Sequence, residues 1–166
     1  MSAIVVMGVS GAGKSSVGRA LADATGAWFV EGDDLHPPAN VERMRSGRPL
    51  TETMRQPWLD AISAAIAQHE AAGREVVAAC SALTRTARDR LRAAGPVRFV
   101  FLAPDRAELR RRVEGRAHSF MPPELLDDQL DTLEDPRGED DVLAIEPGPD
   151  VASTVAAVLG ALGDGG

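Results

Sequence analysis

Eight residues constrain this chain more than any others: Gly8-Val9-Ser10-Gly11-Ala12-Gly13-Lys14-Ser15. They fit the pattern G-x-x-x-x-G-K-[ST], a loop that cradles phosphate when a strand precedes it and a helix follows. Both flanks are present. Ala3-Ile4-Val5-Val6-Met7 is an apolar run of strand length, and Val17, Ala20, Leu21 and Ala24 recur at helical spacing. Glycines let the backbone turn tightly and offer its N–H groups to an anion with no Cβ in the way. The following helix aims its N-terminal dipole at the same phosphate. Lys14 would set a mobile charge on the β- and γ-phosphates, and the Ser15 hydroxyl would join a Mg²⁺ shell. Lys14 is also the only lysine in the chain. A compact ammonium suits that task better than the planar fork of an arginine. Nucleotide contacts are therefore expected from Gly8, Ser10, Gly11, Ala12, Gly13, Lys14, Ser15 and Ser16.

The rest of the chain alternates strand-like and helix-like segments. Strands are expected at Ala3–Met7, Ala27–Val30, Glu75–Cys80, Val97–Leu102 and Val142–Ile145. Helices are expected at Lys14–Thr25, Asn40–Ser46, Pro57–Ala72, Thr84–Ala94, Asp105–Arg116, Glu124–Leu133 and Pro149–Leu162. Gly26 stands where a helix ends on glycine, and Thr51 is a plausible cap. The tail Gly163–Gly166 reads as frayed. Five strands alternating with helices predict an α/β fold, a doubly wound parallel sheet in three layers with right-handed crossovers. The 166 residues suffice for a single domain with a real core. No internal repeat or linker divides them.

A net charge of −7 argues against a nucleic-acid or acidic-membrane partner. Any anionic ligand must be met by a local cluster of arginines and the one lysine. A single cysteine, Cys80, excludes an internal disulfide and a cysteine zinc site. No stretch reaches transmembrane length, and the expected location is the cytoplasm. The arginines of Thr84–Ala94 read mostly as a solvated face, and His69 as a solvated residue in a last helical turn.

Ligands of an open parallel sheet bind beyond the carboxyl ends of its strands. The segment Glu31-Gly32-Asp33-Asp34-Leu35-His36 lies at such an end. Asp33 is the expected general base, taking a proton from a hydroxyl that attacks the γ-phosphate. Arg112 and Arg116 are four apart and share a helix face. Arg116 is the expected transition-state cation, beside the break Ala117–Pro123. A guanine switch protein would need an Asn-Lys-x-Asp segment, which a chain with one lysine cannot have. The strand ending in Cys80-Ser81 lacks the acidic residue typical of motor ATPases. A small phosphotransferase with an arginine-bearing lid remains.

The chain resembles the small phosphate-loop gluconokinases, relatives of shikimate and nucleoside monophosphate kinases. The resemblance rests on Met7–Gly11, Gly32-Asp33 with Leu35-His36-Pro37, Asn40 with Met44 and Gly47, Pro49-Leu50, Arg55 with Pro57-Trp58-Leu59, Cys80–Leu83, Arg88-Asp89, and Leu125-Leu126 with Gln129 and Leu133-Glu134. It implies ATP-dependent phosphorylation of D-gluconate at its 6-hydroxyl, with Mg²⁺, in a homodimer. It implies catalytic roles for Lys14, Asp33 and Arg116. The acceptor would be bound by Asp33, His36, Arg55, Arg88 and Gln129, the nucleotide by Arg112 and Arg116. The acceptor region would span about 33–60 and the lid about 112–124. Three departures stand out: Met54 where a carboxylate is usual, Thr84 where lysine is usual, and His118-Ser119-Phe120 for Gly-His-Phe. Alternatives that share the loop are another small-molecule kinase of this fold, or a nucleotide-binding regulator with weak catalysis.

Overall fold

The computed structural model describes residues 2–114 and 124–164. Five strands, β1 (Ala3–Met7), β2 (Trp28–Glu31), β3 (Val76–Ala79), β4 (Val97–Leu102) and β5 (Val142–Ile145), form one sheet in the order β2-β3-β1-β4-β5. All pairings are parallel; Val5 lies between Ala78 of β3 and Phe99 of β4.

The sheet is apolar on both faces, as a parallel sheet covered by helices must be. Successive side chains of a strand point to opposite faces. Val5, Met7, Ala78, Cys80 and Phe99 join a core layer with Trp58, Leu59, Ile62 and Leu91. Val6, Val77, Val100 and Leu102 face the other way, against Val17, Leu21, Val155 and Val158. The first layer is closed by α3 (Glu52–Ala71) and α4 (Arg85–Ala94), the second by α1 (Lys14–Thr25) and α7 (Val151–Asp164). Three shorter helices complete the chain: α2 (Pro38–Arg45), α5 (Arg106–Glu114) and α6 (Glu124–Thr132).

Local signals account for most boundaries. α1 ends at Gly26, left-handed at φ 74, whose N–H bonds the Ala22 carbonyl. α3 begins a turn and a half before the expected Pro57. Thr51 caps it by accepting the Met54 N–H, and Pro57 sits inside. A strong cap set the start; the proline lies close enough to the N-terminus to be carried. α7 runs on to Asp164 rather than fraying at Gly163. Gly32–Leu35, directly after β2, is a 3₁₀ turn.

Connections from β1 and β3 leave in opposite directions, β1 toward β2 and β3 toward β4. The crevice between the carboxyl ends of these neighbours is where such a sheet binds ligands. The Gly8 N–H bonds the Ser81 carbonyl across it.

Candidate active site

The phosphate loop closes on itself. Gly13, left-handed at φ 95, is the N-cap of α1 and brings no side chain to cover the first-turn amides. Those amides and the helix dipole are thus directed at the loop. The Lys14 ammonium donates to the Val9 carbonyl at 3.0 Å, which holds it across the cradle. Ser15 is half-buried in the first turn and Ser16 is exposed.

Opposite the loop, β2 runs into the 3₁₀ turn. The Glu31 carboxylate accepts the Asp33 N–H at 3.3 Å. Gly32 is required by close approach: a Cβ there would lie 2.2 Å from the Ala79 carbonyl oxygen. Asp33 is exposed. Cys80, at the end of β3, feels both sides. Burial pushes its thiol up to about 12; Lys14 opposes the rise, while Asp33 and Glu31 add to it. The ammonium and the two carboxylates thus all act electrostatically on the thiol just past β3. The thiol stays protonated and inert at neutral pH.

Beside this junction lies a pocket lined by His36, Met44, Leu50, Arg55, Trp58, Ser81, Leu83, Asp128, Gln129 and Thr132. Its lining mixes apolar side chains with a few polar and charged ones, the usual make-up of a small-molecule site. Arg55 is mostly buried, and its guanidinium donates to Glu52 at 3.2 Å. His36 stacks on Trp58, centroids 4.2 Å apart and planes within 13°. The Trp58 indole N–H is anchored on the Gly32 carbonyl at 2.7 Å. Gln129 joins pocket and cradle: it lines the pocket, and its Oε1 accepts the Ser10 N–H at 2.6 Å.

Burial lowers the His36 pKa to about 4, with Asp33 opposing. The folded value lies below the ordinary 6.5. The neutral ring's contribution to stability is thus complete above pH 6.5 and is lost as pH falls toward 4.

Arg88 does not line this pocket. It is fully buried, and its guanidinium donates to both Glu139 oxygens at 3.0 and 2.7 Å. It also donates to the carbonyls of Ala82 at 2.8 Å and Glu134 at 3.0 Å. Ala82 is left-handed at φ 45 and stands between Ser81 and Leu83 of the pocket wall. Arg88 thus pins a strained turn rather than offering donors to a ligand. Arg92 adds bonds to Glu139 and Asp141, both at 2.6 Å. Two of the four α4 arginines are therefore tied into this network with the 134–141 segment, not spread over a solvated face. Nor is His69 simply solvated: it stacks on the half-exposed Trp28 at 5.2 Å.

Arg88, then Arg92, holds the Glu139 carboxyl at about 2, well below its ordinary 4.5. This stabilisation is complete above pH 4.5 and disappears as pH falls through 2. Thermal unfolding followed from pH 5 to pH 2 is expected to lose stability more steeply in the native chain than in Glu139→Gln. Parallel curves would show that the pair contributes nothing.

A second cleft runs from Gly11, Ala12, Gly13 and Ser16 to Pro147-Gly148-Pro149 and Thr154. The buried Thr154 hydroxyl accepts the Gly148 N–H at 2.9 Å and fixes that loop. Sequence reasoning marked the loop side of this cleft but gave no site role to Pro147, Gly148, Pro149 or Thr154. Their signal was positional, since they follow the carboxyl end of β5. The Arg112 backbone lies in α5, but its side chain, like Arg116 and His118-Ser119-Phe120, is outside the described residues. Among the described residues, no group of three or more His, Cys, Asp or Glu could hold a metal ion. No helix among them is long and apolar enough to cross a membrane.

A family model described as an AAA domain matches residues 4–136. The gluconokinase of Gluconobacter oxydans (strain 621H) is 45% identical over 151 residues, 89% of this chain and 85% of that one. The chain belongs to the gluconokinase family. The thermoresistant gluconokinase of Escherichia coli (strain K12) is 36% identical, covering 93% of this chain and 90% of that one. The crystal structure of a gluconokinase from Sinorhizobium meliloti 1021 superposes with a TM-score of 0.88 at 47% identity, over 98% of this chain and 92% of that chain. Two departures of this gluconokinase-family chain now have a physical reading. Thr84 caps α4, its hydroxyl accepting the Ala87 N–H at 3.1 Å. Met54 is used through its main chain, its carbonyl accepting from Asn40 at 3.1 Å. That contact survives any side chain at position 54.

Proposed function

We propose that this chain transfers the γ-phosphoryl group of ATP to the 6-hydroxyl of D-gluconate, giving 6-phospho-D-gluconate and ADP. The observation that carries this reading is Gln129: one side chain borders the pocket and bonds the phosphate loop, so acceptor and phosphates meet there. Membership of the gluconokinase family supports the choice of acceptor.

In this reading the loop amides from Gly13 to Ser16 and the Lys14 ammonium hold the phosphates and oppose their charge. The nucleoside lies in the cleft bordered by Pro147-Gly148-Pro149. Arg55 pairs with the carboxylate of the sugar acid, the geometry in which a guanidinium fork is strongest. His36 and Gln129 meet hydroxyls along the polyol. Asp33 takes the proton of the 6-hydroxyl as its oxygen attacks phosphorus. Arg112 and Arg116 act from a lid over 112–124. The Ser15 hydroxyl, in the first turn of α1, fits a Mg²⁺ ion that phosphates mainly hold; bound there, the ion would neutralise developing charge. Arg88 supports the pocket wall without touching substrate. The chain acts as one domain, residues 1–166, whose segment 33–60 forms much of the acceptor side. It works in the cytoplasm and as a homodimer.

The test is a coupled assay of ADP release over sugar acids, shikimate and nucleoside monophosphates. Gluconate is expected to give the highest kcat/KM. Turnover of shikimate or a monophosphate with gluconate inert would reject the reading. So would ATP binding without transfer to any acceptor, the behaviour of a regulator.

A further inference from the structure

We infer that Asn40 is a positioning residue: it fixes His36 as the tautomer protonated on Nε2, so that the pocket meets a hydrogen-bond donor there. Asn40 is buried on α2, 3% exposed. Its Nδ2 position lies 3.1 Å from the Met54 carbonyl oxygen and 3.2 Å from His36 Nδ1. A carbonyl oxygen only accepts, so the Asn40 atom facing it must be the NH₂ nitrogen and not the amide oxygen. That removes the usual ambiguity over which way an amide is turned. The NH₂ group has two hydrogens; one goes to Met54 and the other faces His36. Nδ1 must therefore accept. A neutral imidazole that accepts on one nitrogen carries its proton on the other.

The ring cannot easily turn to escape this choice. Trp58 covers one face in parallel, and Trp58 is itself anchored on Gly32. Burial keeps the ring neutral at pH 7. Nε2–H is thus a fixed donor on the ring edge away from Asn40, in a residue that lines the acceptor pocket. Its partner must carry a lone pair, as the hydroxyls of a polyol acid do. An exchange of Asn for Asp reverses the logic. A carboxylate has no hydrogen to give, so it draws the proton to Nδ1 and leaves Nε2 bare or makes the ring cationic.

The tautomer is read without any substrate, by a long-range ¹H–¹⁵N correlation of the ¹⁵N-labelled full chain at pH 7. The chain has three histidines, and His69→Gln and His118→Gln assign the signals. His36 is expected to show protonated Nε2 and unprotonated Nδ1. A proton on Nδ1, or on both nitrogens, overturns the inference. This measurement stands whether or not a variant folds. In Asn40→Asp the His36 pattern is expected to invert or become doubly protonated. Its kcat/KM for gluconate should fall about tenfold or more, chiefly through KM, with the KM for ATP unchanged. An inverted spectrum with native kcat/KM would remove the positioning role. The kinetic arm rests on the gluconate reading; the spectrum does not. Failure of the native chain to phosphorylate gluconate would count against that reading alone.

Discussion

Asp33→Asn is expected to lower kcat by roughly 10²–10⁴ and to leave the KM for ATP within about twofold. The two side chains have nearly the same shape, so the exchange removes a base and a charge but little packing. Asp33 is exposed at the end of β2, on a 3₁₀ turn held by Glu31 and by the close fit of Gly32 under Ala79. Its charge is felt by Cys80, as is that of Lys14. In the proposed reading the carboxylate faces the phosphate cradle across the crevice, beside His36 and the pocket. A base in that position acts only as the hydroxyl proton leaves, so its loss should appear in kcat and not in nucleotide binding. Stopped-flow and steady-state assays with saturating ATP and gluconate measure it. A kcat within about threefold of native would remove Asp33 from proton transfer.

Arg88→Leu is expected to destabilise the fold by about 3 kcal/mol, the lower part of the ~3–5 kcal/mol range for breaking a buried ion pair. The lower part applies because Arg92 still faces Glu139 after the change. The loss includes donors to the Ala82 and Glu134 carbonyls, which hold the turn between β3 and α4 against the 134–141 segment. For a chain of this length it corresponds to a fall in Tm of roughly 6–12 °C. Arg90→Gln is the control on the same helix. Arg90 bonds Asp60 with two nitrogens, but both partners are well exposed, and water and salt screen such a pair so that it adds little. Calorimetry on the two variants separates the roles. A native Tm for Arg88→Leu with a raised KM for gluconate would make Arg88 a ligand of the acceptor instead of a brace for its pocket.

Much of the fold was legible because its signals are local. The first strand, the phosphate loop and α1 lie within the first 25 residues, and each is announced by its own composition. β4 and β5 match their expected bounds. α3 shows the limit: two local signals, the Thr51 cap and Pro57, competed, and the cap prevailed. For the candidate site, position along the sheet pointed to Asp33, and resemblance pointed to His36, Arg55 and Gln129. Arg88 looked like one more ligand, since a sequence does not display what an arginine faces. Its carboxylate partner lies 51 residues away.

What this chain determined by itself is therefore whatever neighbours in sequence can settle: apolar period, glycine turns, side-chain caps, and a lysine at the mouth of a helix. Tertiary structure alone decided who faces whom. It set Gln129 against Ser10 across 119 residues, gave Arg88 to Glu139, and placed Asn40 between His36 and the Met54 carbonyl. The physical reason is that a buried polar group must find a partner wherever packing brings one. Packing joins segments by the order of strands in the sheet, not by their distance along the chain.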